Sequence, residues 1–170
     1  MYIDILILSQ ILRGPKHGYE IKRNIERNLG NNIAVNNNML YPALKHFEDQ
    51  GIIRKEIVSQ KGKPSRTVYS ACAKAEKCLK SLIVDFPKDL AGHPKEFFVR
   101  SIFLSVLRPV ERRTILKTRK FFIESELRRI EPVLKNPPAH RDHFFLSFME
   151  FVRQRYKLEI RWISKMESFK

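Results

Sequence analysis

Residues 36–51 read Asn-Asn-Asn-Met-Leu-Tyr-Pro-Ala-Leu-Lys-His-Phe-Glu-Asp-Gln-Gly, and residues 52–72 continue Ile-Ile-Arg-Lys-Glu-Ile-Val-Ser-Gln-Lys-Gly-Lys-Pro-Ser-Arg-Thr-Val-Tyr-Ser-Ala-Cys. In the first stretch Leu40, Leu44 and Phe47 recur at helical spacing, which predicts a helix over 38–50 with those three facing inward. One of the asparagines Asn36, Asn37 and Asn38 is suited to cap it, and Gly51 ends it. Pro42 then falls in the first turn, where the backbone N–H has no helical partner to lose. The second stretch predicts two strands, 52–60 and 66–72, around the turn Lys61-Gly62-Lys63-Pro64-Ser65. Ile57, Val68 and Tyr69 are β-favouring side chains, and Gly and Pro punctuate the middle.

Outward from this core, residues 3–12 (Ile-Asp-Ile-Leu-Ile-Leu-Ser-Gln-Ile-Leu) run without a turn signal to Gly14-Pro15, which favours a buried helix. A second helix opens near Lys16-His17-Gly18, carries Ile21, Ile25 and Leu29 on one face and stops at Gly30. A fourth, over 73–86, has Leu79, Leu82, Ile83 and Phe86 on one side. Three helices, a basic two-stranded ribbon and a further helix is the order of a winged helix-turn-helix, whose third helix enters a DNA major groove while the ribbon reaches flanking backbone.

The residue types fit that use. Tyr41 and Lys45 lie one turn apart opposite the apolar face of helix 38–50, and Asn36, Asn37 and Asn38 stand at its amino end. Asn pairs bidentately with adenine, whereas Tyr and Lys suit phosphate oxygens. On the ribbon, Lys61, Lys63 and Arg66 are phosphate candidates. The bland alternative is that each of these only solubilises a surface; the reading rests on the ordered set.

Residues 14–21 (Gly-Pro-Lys-His-Gly-Tyr-Glu-Ile), 40–44 (Leu-Tyr-Pro-Ala-Leu) and 47–53 (Phe-Glu-Asp-Gln-Gly-Ile-Ile) together resemble the PadR family of bacterial transcriptional regulators, and Arg66 to Tyr69 resembles its second wing strand. The resemblance covers roughly residues 3–86. It implies a DNA-binding regulator, in most such proteins a repressor, that holds an inverted-repeat operator as a homodimer. Gly14 and Gly18 would be structural positions, and Tyr41-Pro42 the Tyr-Pro pair of the recognition helix. For His17 the resemblance implies a contact to DNA backbone, with ordinary helix-start chemistry as the competing role. Two departures stand out. Asn38 and Met39 occupy places where the family has Gly and a small residue, Asn being tolerant of a left-handed backbone. Cys72 replaces a Thr suited to capping the next helix.

Pro87 to Pro94 marks a boundary, so the expected organisation is a DNA-binding domain over 1–86, a linker over 87–94 and a helical domain over 95–170. Ten of the twelve phenylalanines lie beyond it. Three helices are expected there, about 95–107, 109–135 and 140–168, which by length and layout resemble the larger, virulence-activator-like members of the family. In the last helix Phe145, Met149, Val152, Tyr156, Ile160, Ile163 and Met166 step by three or four, a seam suited to a partner helix. Helices this long bury little among themselves, so a second subunit is the expected cover. The fold class expected is mainly α with a small β-hairpin: a winged helix-turn-helix followed by a three-helix dimerisation domain.

The 170-residue chain has 33 Lys and Arg against 18 Asp and Glu, a net charge of +15, which calls for a polyanion, nucleic acid first. The charge is shared between the halves, +6 over 1–86 and +9 over 87–170, so only local clusters are informative. The cluster in 108–120 reads as a solvated helix face. The two cysteines call for no oxidising compartment. With no apolar run of membrane-spanning length, a cytoplasmic protein with no membrane partner is expected. His140 and His143 lack further ligands at metal spacing. No phosphate loop, nucleophile elbow or carboxylate pair is present, so neither a cofactor nor catalysis is expected. The aromatic residues of the second half read as core, or as the lining of a pocket for a small aromatic or phenolic effector. Rival readings are a non-specific basic binder of nucleic acid or anionic surfaces, and a winged-helix protein-interaction module.

Overall fold

A computed structural model describes residues 1–30, 33–60 and 63–169, with only the backbone of Gln60, Lys63 and Pro64. It divides into two units, residues 1–85 with 98–106, and residues 86–97 with 107–170.

In the first unit, α1 (Tyr2–Ile11) is apolar on every side: Ile3, Ile5, Leu6, Ile7, Leu8 and Ile11 are all buried, as befits a central core helix. Strand β1 (Lys16–His17) follows, then α2 (Gly18–Leu29), which buries Ile21 and Ile25. Helix α3 (Asn37–Asp49) turns Leu40, Ala43, Leu44 and Phe47 inward. Strands β2 (Ile53–Gln60) and β3 (Lys63–Ala71) form the ribbon, and α4 (Ala75–Val84) closes the set with Leu79 and Ile83 buried. The sheet is antiparallel in the order β1-β3-β2. This is the expected winged helix-turn-helix.

Several boundaries differ from expectation. Helix α3 begins one residue earlier, so Pro42 lies in its second turn, where the ring removes the bond to the Asn38 carbonyl. Asn38 itself is exposed. Asn38 is not a left-handed position: among the described residues only Gly14, Gly30 and Gly51 have positive φ. The ladder continues to Gln60↔Lys63, so β3 starts at Lys63 and not at Arg66, with an irregularity between Val58 and Gln60. Strand β1, unforeseen, pairs Lys16↔Tyr69 and His17↔Val68. The N-cap of α4 is Lys74, which makes no side-chain cap bond, so the cap falls two residues beyond Cys72.

Helix α5 (Pro94–Ile102) begins among residues of the second unit and ends among those of the first. The helix expected over 95–107 stops there, and a 3-10 turn at Leu104–Val106 follows. In the first unit Arg100 is buried and donates from Nη2 to the Asp85 carbonyl at 2.8 Å.

The second unit is built on two long helices, α6 (Pro109–Lys135) and α7 (His143–Glu167). They are antiparallel, since Lys120 meets Glu167 while Glu131 meets Lys157. Proline at the first position opens α6, and the Asp142 carboxylate accepts from Phe145 N at 2.8 Å to cap α7. The cap puts the start of α7 at His143, so His140 lies outside the helix. Residues 87–94, expected as linker, hold a 3-10 turn at Leu90–Gly92.

One expectation about charge fails here. Arg119, counted in a solvated cluster, is only 1% exposed and forms a two-pronged pair with Glu159 (Nε–Oε1 2.7 Å, Nη2–Oε2 3.0 Å). Its Nη1 donates to the Ala91 carbonyl, and its guanidinium lies over the Phe97 and Phe122 rings.

Candidate nucleic-acid interface

Helix α3 is held by its apolar face, which leaves a polar edge in solvent. Asn36 is the residue that caps it: Asn36 Oδ1 accepts from Met39 N at 2.9 Å. Asn37 and Asn38, in the first turn, are exposed and directed away from the core. Tyr41 is half exposed at 49%, and Lys45 is exposed and paired with Asp49 at 3.2 Å. Asn37, Asn38, Tyr41 and Lys45 are therefore all exposed on α3, with Asn36 at its amino end.

His17, Tyr41 and Arg66, distant in sequence, line a common cleft of about 570 Å³ with Arg23 and Tyr69. The topology explains the meeting. Pairing of β1 with β3 brings His17 beside the wing, where Nδ1 donates to the Thr67 carbonyl at 2.8 Å. Glu20 Oε2 accepts from His17 N at 2.9 Å and fixes the start of α2. Gly18 allows the Tyr41 ring to rest on that start. A Cβ there would stand 3.3 Å from Tyr41 Cε1 and 3.4 Å from the hydroxyl oxygen. Burial raises the Tyr69 phenol above its usual pKa of 10.0, with Tyr41 and Glu48 adding to the shift, so Tyr69 stays protonated at neutral pH.

His17 thus has a structural bond as well as a place on the cleft, and both roles weighed for it are compatible. Arg23 and Tyr19 were missed by sequence reasoning. The Arg23 guanidinium lies 5.8 Å from the centre of the Tyr19 ring, and their i, i+4 spacing on an exposed helix start was the available signal. Lys61 lies outside the described residues, and Lys63 is described only as backbone. The cleft and the α3 edge present amide, hydroxyl and guanidinium groups, which can donate to phosphate oxygens and pair with base edges. Among the described residues no group of three or more His, Cys, Asp and Glu could hold a metal. Cys72 and Cys78 are both free. No helix among them is long and apolar enough to cross a membrane.

The seam predicted on α7 is partly covered within the subunit. Ile163 is fully buried and Tyr156 is 9% exposed within the subunit, while Phe145, Met149, Val152, Ile160 and Met166 are half buried. A second apolar line is the exposed one: Phe144, Phe148, Phe151, Leu158 and Trp162.

Residues 7–80 match the transcriptional regulator PadR-like family. Over its whole length the chain is similar to Bacillus subtilis PadR, solved in complex with operator DNA, at 18% identity and TM-score 0.46, covering 99% of this chain and 98% of that one. It is similar to smu.1604c from Streptococcus mutans at 20% identity and TM-score 0.45, covering 99% and 100%. It is also similar to smu.1704 from the same organism at 30% identity and TM-score 0.40, covering 47% of this chain and 71% of that one. No curated protein sequence matches.

Proposed function

The chain belongs, through residues 7–80, to the PadR-like family of transcriptional regulators, and from that premise we propose that it is a sequence-specific repressor that binds an inverted-repeat operator as a homodimer. The observation that carries the reading is the continuity of the exposed α3 edge with the cleft that joins His17, Tyr41 and Arg66. Asn37 and Asn38 read base edges in the major groove, Tyr41 and Lys45 hold phosphates beside them, and Arg66 with Lys61 and Lys63 extends the grip along the wing. Repression needs nothing beyond occupancy of a promoter. The protein then works in the cytoplasm, beside the DNA.

The second copy docks on α7. Phe144, Phe148, Phe151, Leu158 and Trp162 fall on steps of four and three, with Arg155 taking the vacant step, which is the spacing of a two-helix seam. Five large apolar side chains in one exposed line match an interface better than a free surface. A two-fold pair of reading helices requires half-sites about one helical turn apart or a multiple of it.

The test is a pair of variants on a duplex that the protein selects. Asn37→Ala changes the preferred base at one position per half-site, whereas Arg66→Ala weakens all duplexes alike and lowers the salt slope by about one. If both variants only scale affinity down equally on every sequence, the protein is a charge-driven binder and the reading falls.

A further inference from the structure

A second cleft, of about 450 Å³, lies in the second unit, between the first turns of α6 and the end of α7. Its apolar lining is Pro109, Leu116, Met166 and Phe169, and its cationic lining is Arg112, Arg113 and Lys117. None of the three cations pairs with an acid among the described residues. The nearby acids are engaged by other cations: Glu111 binds Arg108 at 2.6 Å, and Glu167, which also lines the cleft, meets Lys120 at 3.4 Å. Arg112 is also pre-set, since its Nε donates to the Leu107 carbonyl at 3.1 Å. Arg113 and Lys117, four residues apart on α6, are like charges on neighbouring turns and repel each other, a cost that a bound anion would remove.

We propose that this cleft binds an amphipathic organic anion: a carboxylate head held by Arg112, Arg113 and Lys117, and an apolar body laid on Leu116, Met166 and Phe169. The volume lies within the range of small-molecule sites, and the lining supplies both recognition elements, charge at one side and apolar contact at the other. The proposal concerns the second unit alone and requires no DNA for its test, so its failure leaves the DNA-binding reading untouched.

The experiment is calorimetric titration of the full chain with decanoate, 1-decanol and decylammonium, each kept below its aggregation concentration, with circular dichroism to verify that the fold persists. Decanoate saturates at one site per chain, while decanol and decylammonium bind at least tenfold more weakly. Arg113→Gln with Lys117→Gln, both exposed positions, lowers decanoate affinity by about tenfold or more, as loss of charge-assisted hydrogen bonds would. Met166→Asn weakens it through the apolar side. Absence of saturable decanoate binding, equal binding of decanol, or undiminished binding to the double variant overturns the proposal.

Discussion

Tyr41 of α3 rests directly on Gly18, the first residue of α2, with no room for a β-carbon at ordinary contact distance. Gly18→Ala must therefore displace the Tyr41 ring by a few tenths of an ångström. Alanine is also the better helix former, worth about 0.4–1 kcal/mol where the backbone permits it. Stability and DNA binding are expected to part company: the denaturant midpoint holds or rises while affinity for the selected duplex falls several-fold. Equal loss of both would mean that Gly18 matters only for folding.

Asn36 has its carbonyl oxygen committed to the Met39 amide. Asn36→Ala should cost about 1 kcal/mol by chemical denaturation, and Asn36→Ser, which can also cap, should restore most of it. The Ser variant should keep the sequence preference of the parent, because the side chain works on the protein's own backbone. A shifted base preference in Asn36→Ser would make this residue a reader as well.

The Arg119–Glu159 pair is buried at 1% and 7% exposure. Glu159→Gln strands a buried guanidinium and should destabilise by about 3–5 kcal/mol. Replacing both partners together, Arg119→Met with Glu159→Leu, should recover part of that loss. The Ala91 carbonyl still loses its donor, which keeps the recovery incomplete. Additive losses in the double variant, measured by urea unfolding, would show that the two residues do not act as a pair.

Phe148 and Phe151 are 60% and 61% exposed on the free face of α7. Phe148→Glu with Phe151→Glu should leave the helical circular dichroism signal unchanged and convert the protein to the mass of one chain in sedimentation velocity. Ile163→Ala, on the buried face, should instead cost about 2–5 kcal/mol of stability without being an interface change. A double variant that sediments as the parent does would move the interface elsewhere.

The first unit was legible because its signals are local. Leu40, Leu44 and Phe47 share a helical face and Gly51 stops the helix; in the second unit, Pro109 and Asn136 bound α6 in the same way. Strand β1 was invisible because two residues have no periodicity; Lys16 and His17 become a strand only by pairing with Tyr69 and Val68, about fifty positions away. The two apolar lines of α7 could not be told apart in the sequence for a related reason. Both the Phe145–Met166 line and the Phe144–Trp162 line step by three and four, and periodicity does not say which one faces α6 in the same chain. Arg119 was read as solvated because a charge run reports sequence neighbours, while its burial depends on Glu159 and the Phe97 and Phe122 rings. The residues proposed for DNA contact were chosen by type and spacing, but the cleft that gathers His17, Tyr41 and Arg66 with Arg23 depends on strand pairing that local patterns do not carry.

Selection from random-sequence duplex DNA at about 150 mM salt, followed by sequencing of what the full chain retains, tests the central claim most directly. The account predicts an inverted repeat with half-sites one helical turn or a multiple apart. Retained DNA with no enriched motif, lost progressively as salt rises, would contradict it and leave only attraction between a basic chain and a polyanion.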